Sequence, residues 1–582
     1  MIKDHSWISA AVLLLVGAAV FLPALGQEES VNGTEAIHAE IARNMLENGD
    51  YLVPRLTGRP YIDKPPLFNW SVAALFRLTG RVDFTQARLP SAICSIAAML
   101  GIYFLGRRWC SARAGVYAAL IWGTSWLVVE WGRFGQMDMM MTCLIFYAVF
   151  LADVAAAQER RGSRLVAWLA ASALIAAATL SKTPAALLYF FVGAACLWRV
   201  RRGRWLPNLS LLLLTAAVTG IAWAAWLVPA ERQHPGHIRE LVHYQFGEGP
   251  TEHPARITLY FDQLLIRTAP WTFFAVGAGW WAVRRVRRCG YDLAAAPALF
   301  SAVCLVIMTA FPNKREHYLL PMLPMWSLLL GGFLDRTLTL RREGGREHEA
   351  ELPSRWLFNW PLRLSLALLW VGAAALAVYW AVSASRRLAA GILLCAAVAA
   401  AATWGLAAAR RARDDRALAM LFLAWFLVMA TAYPLTLEVF NPAMADMAQL
   451  RRAAQMIPAG APVAVCDFRS PYLFFRLNRP LTYVDNLKAA CEFLNHSEQG
   501  RRYLLLSGSA ADTVASMTWV PVRRAGTFDL GNSVLVVLES GVASQSHPHG
   551  GRQEGARPLP SRPTVFNNPA APHYTSAAFQ EA

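Results

Sequence analysis

Residues 56–70 read LTGRPYIDKPPLFNW, and they follow an apolar run, WISAAVLLLVGAAVFLPALG, at 7–26. About 20 apolar residues suffice to cross a bilayer as a helix. The charged segment therefore lies close to a membrane surface. Pro65 and Pro66 fix φ and deny a helix there. They hold Asp63 and Lys64 at a rigid bend. An acid beside a base at that depth can ligate a metal, hold a phosphate, or form an ordinary solvated turn. The rest of the chain weighs between these.

The chain has 582 residues, 56% hydrophobic and only 16% charged, with mean hydropathy +0.34. Average usage has about a quarter charged residues, so the composition is that of a polytopic membrane protein. The net charge of +17 could indicate nucleic acid. The basic residues instead cluster in short loops between apolar spans, where topology explains them. We read about 13 spans: near 7–26, 89–106, 114–131, 139–156, 165–181, 184–198, 206–229, 267–283, 293–311, 317–335, 358–383, 388–408 and 417–434. The first reads as a retained helix rather than a signal peptide, because it is long for an h-region.

Arginines sit at every second loop: Arg107, Arg108 and Arg113; Arg160, Arg161 and Arg164; Arg199, Arg201, Arg202 and Arg204; Arg284, Arg285, Arg287 and Arg288; Arg341, Arg342 and Arg346; Arg410, Arg411, Arg413 and Arg416. The positive-inside rule puts these loops in the cytoplasm. The long loops 27–87 and 230–266 and the C-terminal region then lie outside. In the first loop, Ile37, Ile41, Met45 and Leu46 recur at helical spacing, which predicts an amphipathic surface helix. Residues 1–434 read as one membrane domain. Residues 435–541 alternate strand-like runs (PVAVCDF, PLTYVD, YLLLSG, SVLVVLE) with helix-like ones. They read as a small α/β periplasmic domain, and 542–582 read as a disordered tail. Cys466 and Cys491 are the two cysteines of that domain, and in an oxidising compartment they are expected close together.

The outer helix ends collect Glu35, Asp63, Lys64, Arg88, Glu130, Arg133, Asp138, Lys182, Arg267, Lys314, Arg315 and Glu316. Ionisable residues at such positions are costly and point to function. Each has a local structural explanation as well. Arg88 and Arg267 could be snorkelling caps, and Glu130 with Arg133 a helix pair. The mixture of signs at one face is what topology does not explain. It suits a site that holds an anionic head group beside a carboxylate. His234, His237, His243 and His253 share the second long loop, but at no compact metal-ligand spacing.

On the motifs EAIHAEIARNMLENGDYLVPRLTGRPYIDKPPLFNW (35–70), QARLPSA (86–92), RFGQMDMMMT (133–142), LSKTPAAL (180–187) and KREHYLLPMLP (314–324), the chain resembles the bacterial branch of the GT-C glycosyltransferases. Within it, the resemblance is to lipid A aminoarabinose transferases, relatives of the protein O-mannosyltransferases. It runs from the first span to about residue 335.

The resemblance implies a polyprenyl-phosphate-linked sugar as donor, transfer at the outer face of the inner membrane with inversion, and an envelope acceptor: a lipid A-like glycolipid, a polysaccharide or a protein. It implies that Asp63 ligates a divalent metal (Zn or Mg/Mn) with His243 or His253. Lys64, Arg88, Arg267, Lys314, Arg315 and Tyr318 would lie at the donor phosphate, with Asp138, Lys182 and His317 in the same cavity. The family's first outer helix begins Asp-Glu, the Asp being the catalytic carboxylate; here Thr34 and Glu35 stand in those places. Catalysis would then fall to Glu35 and Asp63. A polytopic transporter and an inactive scaffold of the same fold are the other readings. A transporter would carry its charges near mid-span.

Overall fold

The structure, a computed structural model, describes residues 6–27, 33–56, 59–201, 209–246, 256–311, 314–343, 355–382, 388–432 and 444–541, apart from 467, 469, 480, 497–499 and 531–533. The helices are α1 (Ser6–Phe21), α2 (Gly33–Asn48), α3 (Leu67–Thr79), α4 (Phe84–Trp109), α5 (Ala112–Thr124), α6 (Trp126–Arg133), α7 (Met137–Ala157) and α8 (Arg161–Ser181). They continue as α9 (Ala186–Arg201), α10 (Leu209–Gln233), α11 (His237–Phe246), α12 (Leu259–Arg267), α13 (Ala275–Cys289), α14 (Ala296–Ala310), α15 (Leu323–Glu343), α16 (Arg355–Val382), α17 (Leu388–Arg410) and α18 (Asp414–Leu427).

Among the described residues, seven helical segments are long and apolar enough to cross a membrane, eight when the pair α5 and α6, bent by 61°, counts as one. The expected spans are helical over most of their described residues. Several are short: α1 has 16 residues, and α14 has 15.

The chain divides into two compact units. The first holds 1–31, 41–54 and 64–441. Small residues let its helices meet. A Cβ on Gly115 would lie 2.4 Å from the carbonyl oxygen of Tyr103, and one on Gly331 2.6 Å from that of Ala114. Helices α4, α5 and α15 therefore approach backbone to backbone, as helices in lipid often do. The arginine-rich end of this unit is tied by ion pairs. Arg108 Nε donates to the buried Asp153 at 2.7 Å, Arg113 Nε to Asp335 at 2.7 Å, and Arg342 Nε to Asp415 at 2.8 Å. Arg341 pairs with Asp414 and donates to Asn359 Oδ1 at 2.6 Å. The topological arginines thus also fasten helix to helix.

The second unit is built from 32–40, 55–63 and 442–582. It holds a short hairpin of β1 (Arg55–Leu56) and β2 (Arg59–Pro60) and a five-stranded sheet. The sheet order is β4 (Thr482–Val484), β3 (Val463–Cys466), β5 (Arg502–Ser507), β7 (Val534–Ser540), β6 (Val522–Asp529). Strands β3, β4 and β5 run parallel; β7 is antiparallel to both its neighbours. Helices α19 (Met444–Met456), α20 (Pro471–Leu477), α21 (Leu487–Asn495) and α22 (Gly508–Met517) complete it. The continuous apolar runs VAVC (463–466), YLLL (503–506) and LVVL (535–538) are buried on both faces, as central strands require. Strand β6 carries Arg523, Arg524 and Asp529 at the sheet edge, and charge there discourages further pairing.

This unit has an α/β architecture, and its boundaries differ from 435–541. It recruits residues 32–40 and 55–63, far from 435–541 in sequence, and Arg59 Nη2 donates to Asp485 at 2.8 Å. Cys466 and Cys491 share its core without a disulfide between them, and Cys491 Sγ donates to the carbonyl of Val514 at 3.7 Å. The reading of 542–582 as disordered lies outside the described residues.

Candidate functional site

The site begins with a helical hairpin. Helices α7 and α8 have 21 residues each and are joined by a tight connection at 158–160. Residues equidistant from that connection finish side by side. Asp138, in the first turn of α7, and Lys182, which follows α8, are such a pair, and they form a buried ion pair. Each charge also faces the helix terminus that stabilises it, acid at the N-terminus and base at the C-terminus.

Two further elements close on this pair. The 3₁₀ turn Glu316–Met322, shortened by Pro321, presents His317 and Tyr318 ahead of α15. His317 Nε2 lies 3.9 Å from Asp138 Oδ1, and Lys182 Nζ lies 5.2 Å above the Tyr318 ring. Tyr189 fixes the turn by donating to the Tyr318 carbonyl at 3.0 Å. The bend between α5 and α6 turns Trp131 toward His317, with ring centroids 4.4 Å apart. Lys64, set by Pro65 and Pro66 ahead of α3, acts electrostatically on both Asp138 and His317, and Arg315 acts on His317. Lys182 and Lys64 thus both act on one carboxylate, and the exposed Arg315 acts on the imidazole beside it, at one end of the bundle. Such a cluster attracts an anion and stabilises charge that develops there. Lys314 is half-buried.

The other expected phosphate ligands are placed differently. Arg88 is buried and donates Nη1 to the carbonyls of Leu25 and Gln27, at 2.6 Å each. Arg133 does the same for Val20, at 2.8 Å, and for Pro23. Both cap the chain leaving α1. Arg267 lies between two carboxylates, pairing with Glu130 and with Glu316 Oε2 at 2.9 Å. That second cluster has two acids to one base.

Glu35 and Asp63 belong to the second unit, and both are buried. Glu35 occupies the first turn of α2, where the macrodipole favours an acid. The expectation of a surface-lying α2 is corrected. Its polar face is buried with its apolar one, including His38, Glu40 and Arg43, and Arg43 donates to Glu47 at 2.8 Å.

In the second long loop His243 is exposed, and His253 lies outside the described residues. Among the described residues no three His, Cys, Asp or Glu side chains gather closely enough to hold a metal. Of the expected ligands, the described residues include Asp63 and His243 but not His253. His237 is buried against Trp226, ring centroids 5.8 Å apart. Burial, then the neighbouring His234, hold its imidazole below the ordinary value.

The geometry can be set beside known proteins. Residues 63–228 match the family profile described as dolichyl-phosphate-mannose-protein mannosyltransferase. An undecaprenyl phosphate-alpha-4-amino-4-deoxy-L-arabinose arabinosyl transferase of Pectobacterium atrosepticum is 24% identical over 353 residues, 59% of this chain and 62% of that protein. The crystal structure of ArnT from Cupriavidus metallidurans in the apo state superposes with TM-score 0.68. The identity is 18%, over 93% of this chain and 99% of that one. The same protein bound to undecaprenyl phosphate gives 0.67 at 17% identity, over 94% and 100%.

This chain has the GT-C fold. Its sequence is similar to aminoarabinose transferases and, over 63–228, to the mannosyltransferase profile, and its helices are those of a multi-pass membrane protein. Its matched region spans about three fifths of the length of the curated relatives.

In the GT-C frame, the residues that the sequence did not single out are aromatic. Trp131 and Tyr189 support the cation cluster. Trp70 and Trp226 donate to the carbonyls of Tyr51 and Leu52, at 2.7 and 2.9 Å, and so fasten residues 51–52. Asp50 helps by accepting from Leu52 N, Val53 N and Gln233 Nε2. Aromatics at helix ends also form interfacial belts, so their positions alone carry no signal for a site.

Proposed function

We propose that the protein is a glycosyltransferase of the bacterial inner membrane. It moves a sugar from a polyprenyl-phosphate donor to a cell-envelope acceptor at the outer face. The observation that carries this is the Lys64, Lys182 and Arg315 cluster around Asp138 and His317, on a fold shared with a protein that binds undecaprenyl phosphate. The charges lie at helix ends and not at mid-span, which favours an enzyme over a transporter. The arginine pattern supports an inward-facing end tied by Arg108, Arg113, Arg341 and Arg342. It supports placing the cation cluster and the C-terminal α/β unit outside.

In the reaction an acceptor oxygen attacks the anomeric carbon. The bond from that carbon to the phosphate oxygen breaks, and its electron pair leaves with the polyprenyl phosphate. Lys64 and Arg315, with Lys182 held by Asp138, stabilise the charge that grows on the departing phosphate. A hydroxyl acceptor must also lose a proton, for which Glu35 is the proposed base; an acceptor that is already a phosphate needs none. Asp63 is the second carboxylate assigned to catalysis.

The test is lipidomics of a deletion strain, complemented by wild type or by Lys64→Ala. We expect a sugar missing from an envelope glycolipid or glycoprotein, restored by wild type. Lys64→Ala should cost on the order of 10²-fold or more in transfer with normal expression and thermal stability. Near-normal transfer by the variant would overturn the donor-site assignment.

A further inference from the structure

The turn between α10 and α11 encloses an imidazole that makes no hydrogen bond. His237, the first residue of α11, is 0% exposed, and among the described residues neither of its ring nitrogens has a hydrogen-bond partner. Buried polar groups ordinarily are hydrogen-bonded, because water no longer solvates them. A phenyl ring would fill the same place without that cost. What an imidazole adds is a proton that it can take up near neutral pH.

The surroundings hold the ring neutral inside and offer it carboxylates outside. Its edge meets the ring of Trp226 at 85°. Around Trp226 lie Val53, Leu180, Ala230 and Leu241, all buried and apolar. The titratable groups that act on His237 are His234, Glu240 and Glu231, and all three are half-buried. His234 Nε2 lies 3.5 Å from Glu240 Oε2. Glu231 accepts from Gly236 N and Ile238 N, at 2.8 Å each, and so holds the start of α11. On the segment packed against α10 the charged group is Asp50, which accepts from Gln233 Nε2 at 2.8 Å.

The same turn ties down that segment. Trp226, which touches His237 with its ring, donates its Nε1 to the Leu52 carbonyl at 2.9 Å, and Gln233 holds Asp50. The other anchor of the segment is Trp70 in α3, the helix that follows Lys64, Pro65 and Pro66.

We propose that His237 is the trigger of an acid-sensitive latch. On taking a proton from solvent, its imidazole leaves Trp226 for the carboxylates of Glu240 and Glu231. Helix α11 loses its seat, and residues 50–53 lose their ties to α10. The latch does not depend on the transferase reading.

Its pH range follows from the burial. Burial, and then His234, hold the shut imidazole below its ordinary value of about 6.5. An opened imidazole returns to that value. The shut form is therefore stable above about pH 6.5 and loses stability as pH falls from there toward the native value. Opening takes up one proton in that interval, so its equilibrium constant rises about tenfold per pH unit.

The test is hydrogen exchange of the full-length protein in nanodiscs of zwitterionic lipid, from about pH 8 to about pH 5, corrected for intrinsic exchange rates. For peptides covering 237–243 and 50–53 we expect constant protection above about pH 6.5 and about tenfold loss per pH unit below it, reversed on return to neutrality. Peptides of α4 should not respond. His237→Phe keeps a ring against Trp226 but takes no proton, and its protection should stay constant throughout; His237→Leu repeats the test if the phenyl packs poorly. Wild-type protection that does not fall with pH overturns the proposal. So does an equal fall in either variant, which would assign the titration to another group such as His234, or an opening of 237–243 that leaves 50–53 protected.

Discussion

Removing Lys182 alone should unsettle the bundle more than removing the whole ion pair. The Asp138 side chain is 4% exposed and its partner Lys182 10%. Lys182→Met would leave a buried carboxylate without its partner, a loss that typically costs about 3–5 kcal/mol. Proton uptake sets a ceiling: neutralising an ordinary carboxyl at pH 7 takes about three pK units at 1.36 kcal/mol each, roughly 4 kcal/mol. Lys64 acts on Asp138 as well and offsets part of this, so about 3 kcal/mol is expected. The double variant Asp138→Asn/Lys182→Met removes both charges and should recover most of the loss. The coupling energy from the cycle should be about 2 kcal/mol or more. Reversible SDS-induced unfolding in detergent micelles measures all four corners. Undecaprenyl phosphate affinity gives a second readout: Lys182→Met should weaken it and Asp138→Asn strengthen it. Stability of Lys182→Met within about 1 kcal/mol of wild type, or a cycle additive within about 0.5 kcal/mol, would refute the reasoning.

Gly115→Val would place a side chain 2.4 Å from the Tyr103 carbonyl oxygen and 2.9 Å from Arg107 N. It should cost on the order of 3 kcal/mol, seen as loss of monodisperse protein by size exclusion, whereas Gly372→Ala, where a Cβ would meet nothing within 4 Å, should be silent. In the α/β unit, Glu539 accepts from Arg501 at 3.0 Å, Tyr503 at 2.9 Å and Arg523 at 2.6 Å. Burial pushes its carboxyl up, but Arg523, Tyr503 and Arg501 together hold it below the usual carboxylate range. A lowered native value means stability that is present above about pH 4.3, the ordinary glutamate value, and lost as pH falls through the native value. The stability gap between wild type and Glu539→Gln, followed by hydrogen exchange in β7, should therefore be widest near neutrality and close toward pH 3. An alkaline phosphatase fusion at the C-terminus should be active in intact cells, and activity only in a cytoplasmic reporter would reverse the topology.

The membrane character was legible because apolar runs and arginine-rich loops are strong, redundant signals. The helical hairpin that joins Asp138 to Lys182 was legible in principle from two 21-residue helices of matched length. Residue roles were less so. Arg88 and Lys64 are both basic residues at helix ends, yet in the fold one caps carbonyls while the other acts electrostatically on Asp138. Arg267 reads in sequence as a lone base, and its partner Glu130 lies 137 positions away. Strand β6 was missed because VRRAGTFD, on the sheet edge, lacks the apolar signature of the central strands. The burial of α2 escaped for a related reason: Ile37 and Ile41 marked one apolar face, and nothing local shows that His38 and Arg43 are enclosed as well.

The patchwork of the second unit carries a consequence for how the chain is made. Residues 32–40 and 55–63 belong to a body whose remaining strands begin only after residue 442. About 380 residues separate them, which at 5–20 residues per second is roughly 20–80 s of synthesis. Throughout that interval the segment bearing Glu35 and Asp63 has emerged from the ribosome while its partners are still untranslated. A ribosome that stalls after α18 would leave those two carboxylates without the strands that complete their unit, so this half of the protein matures only with the last stretch of message.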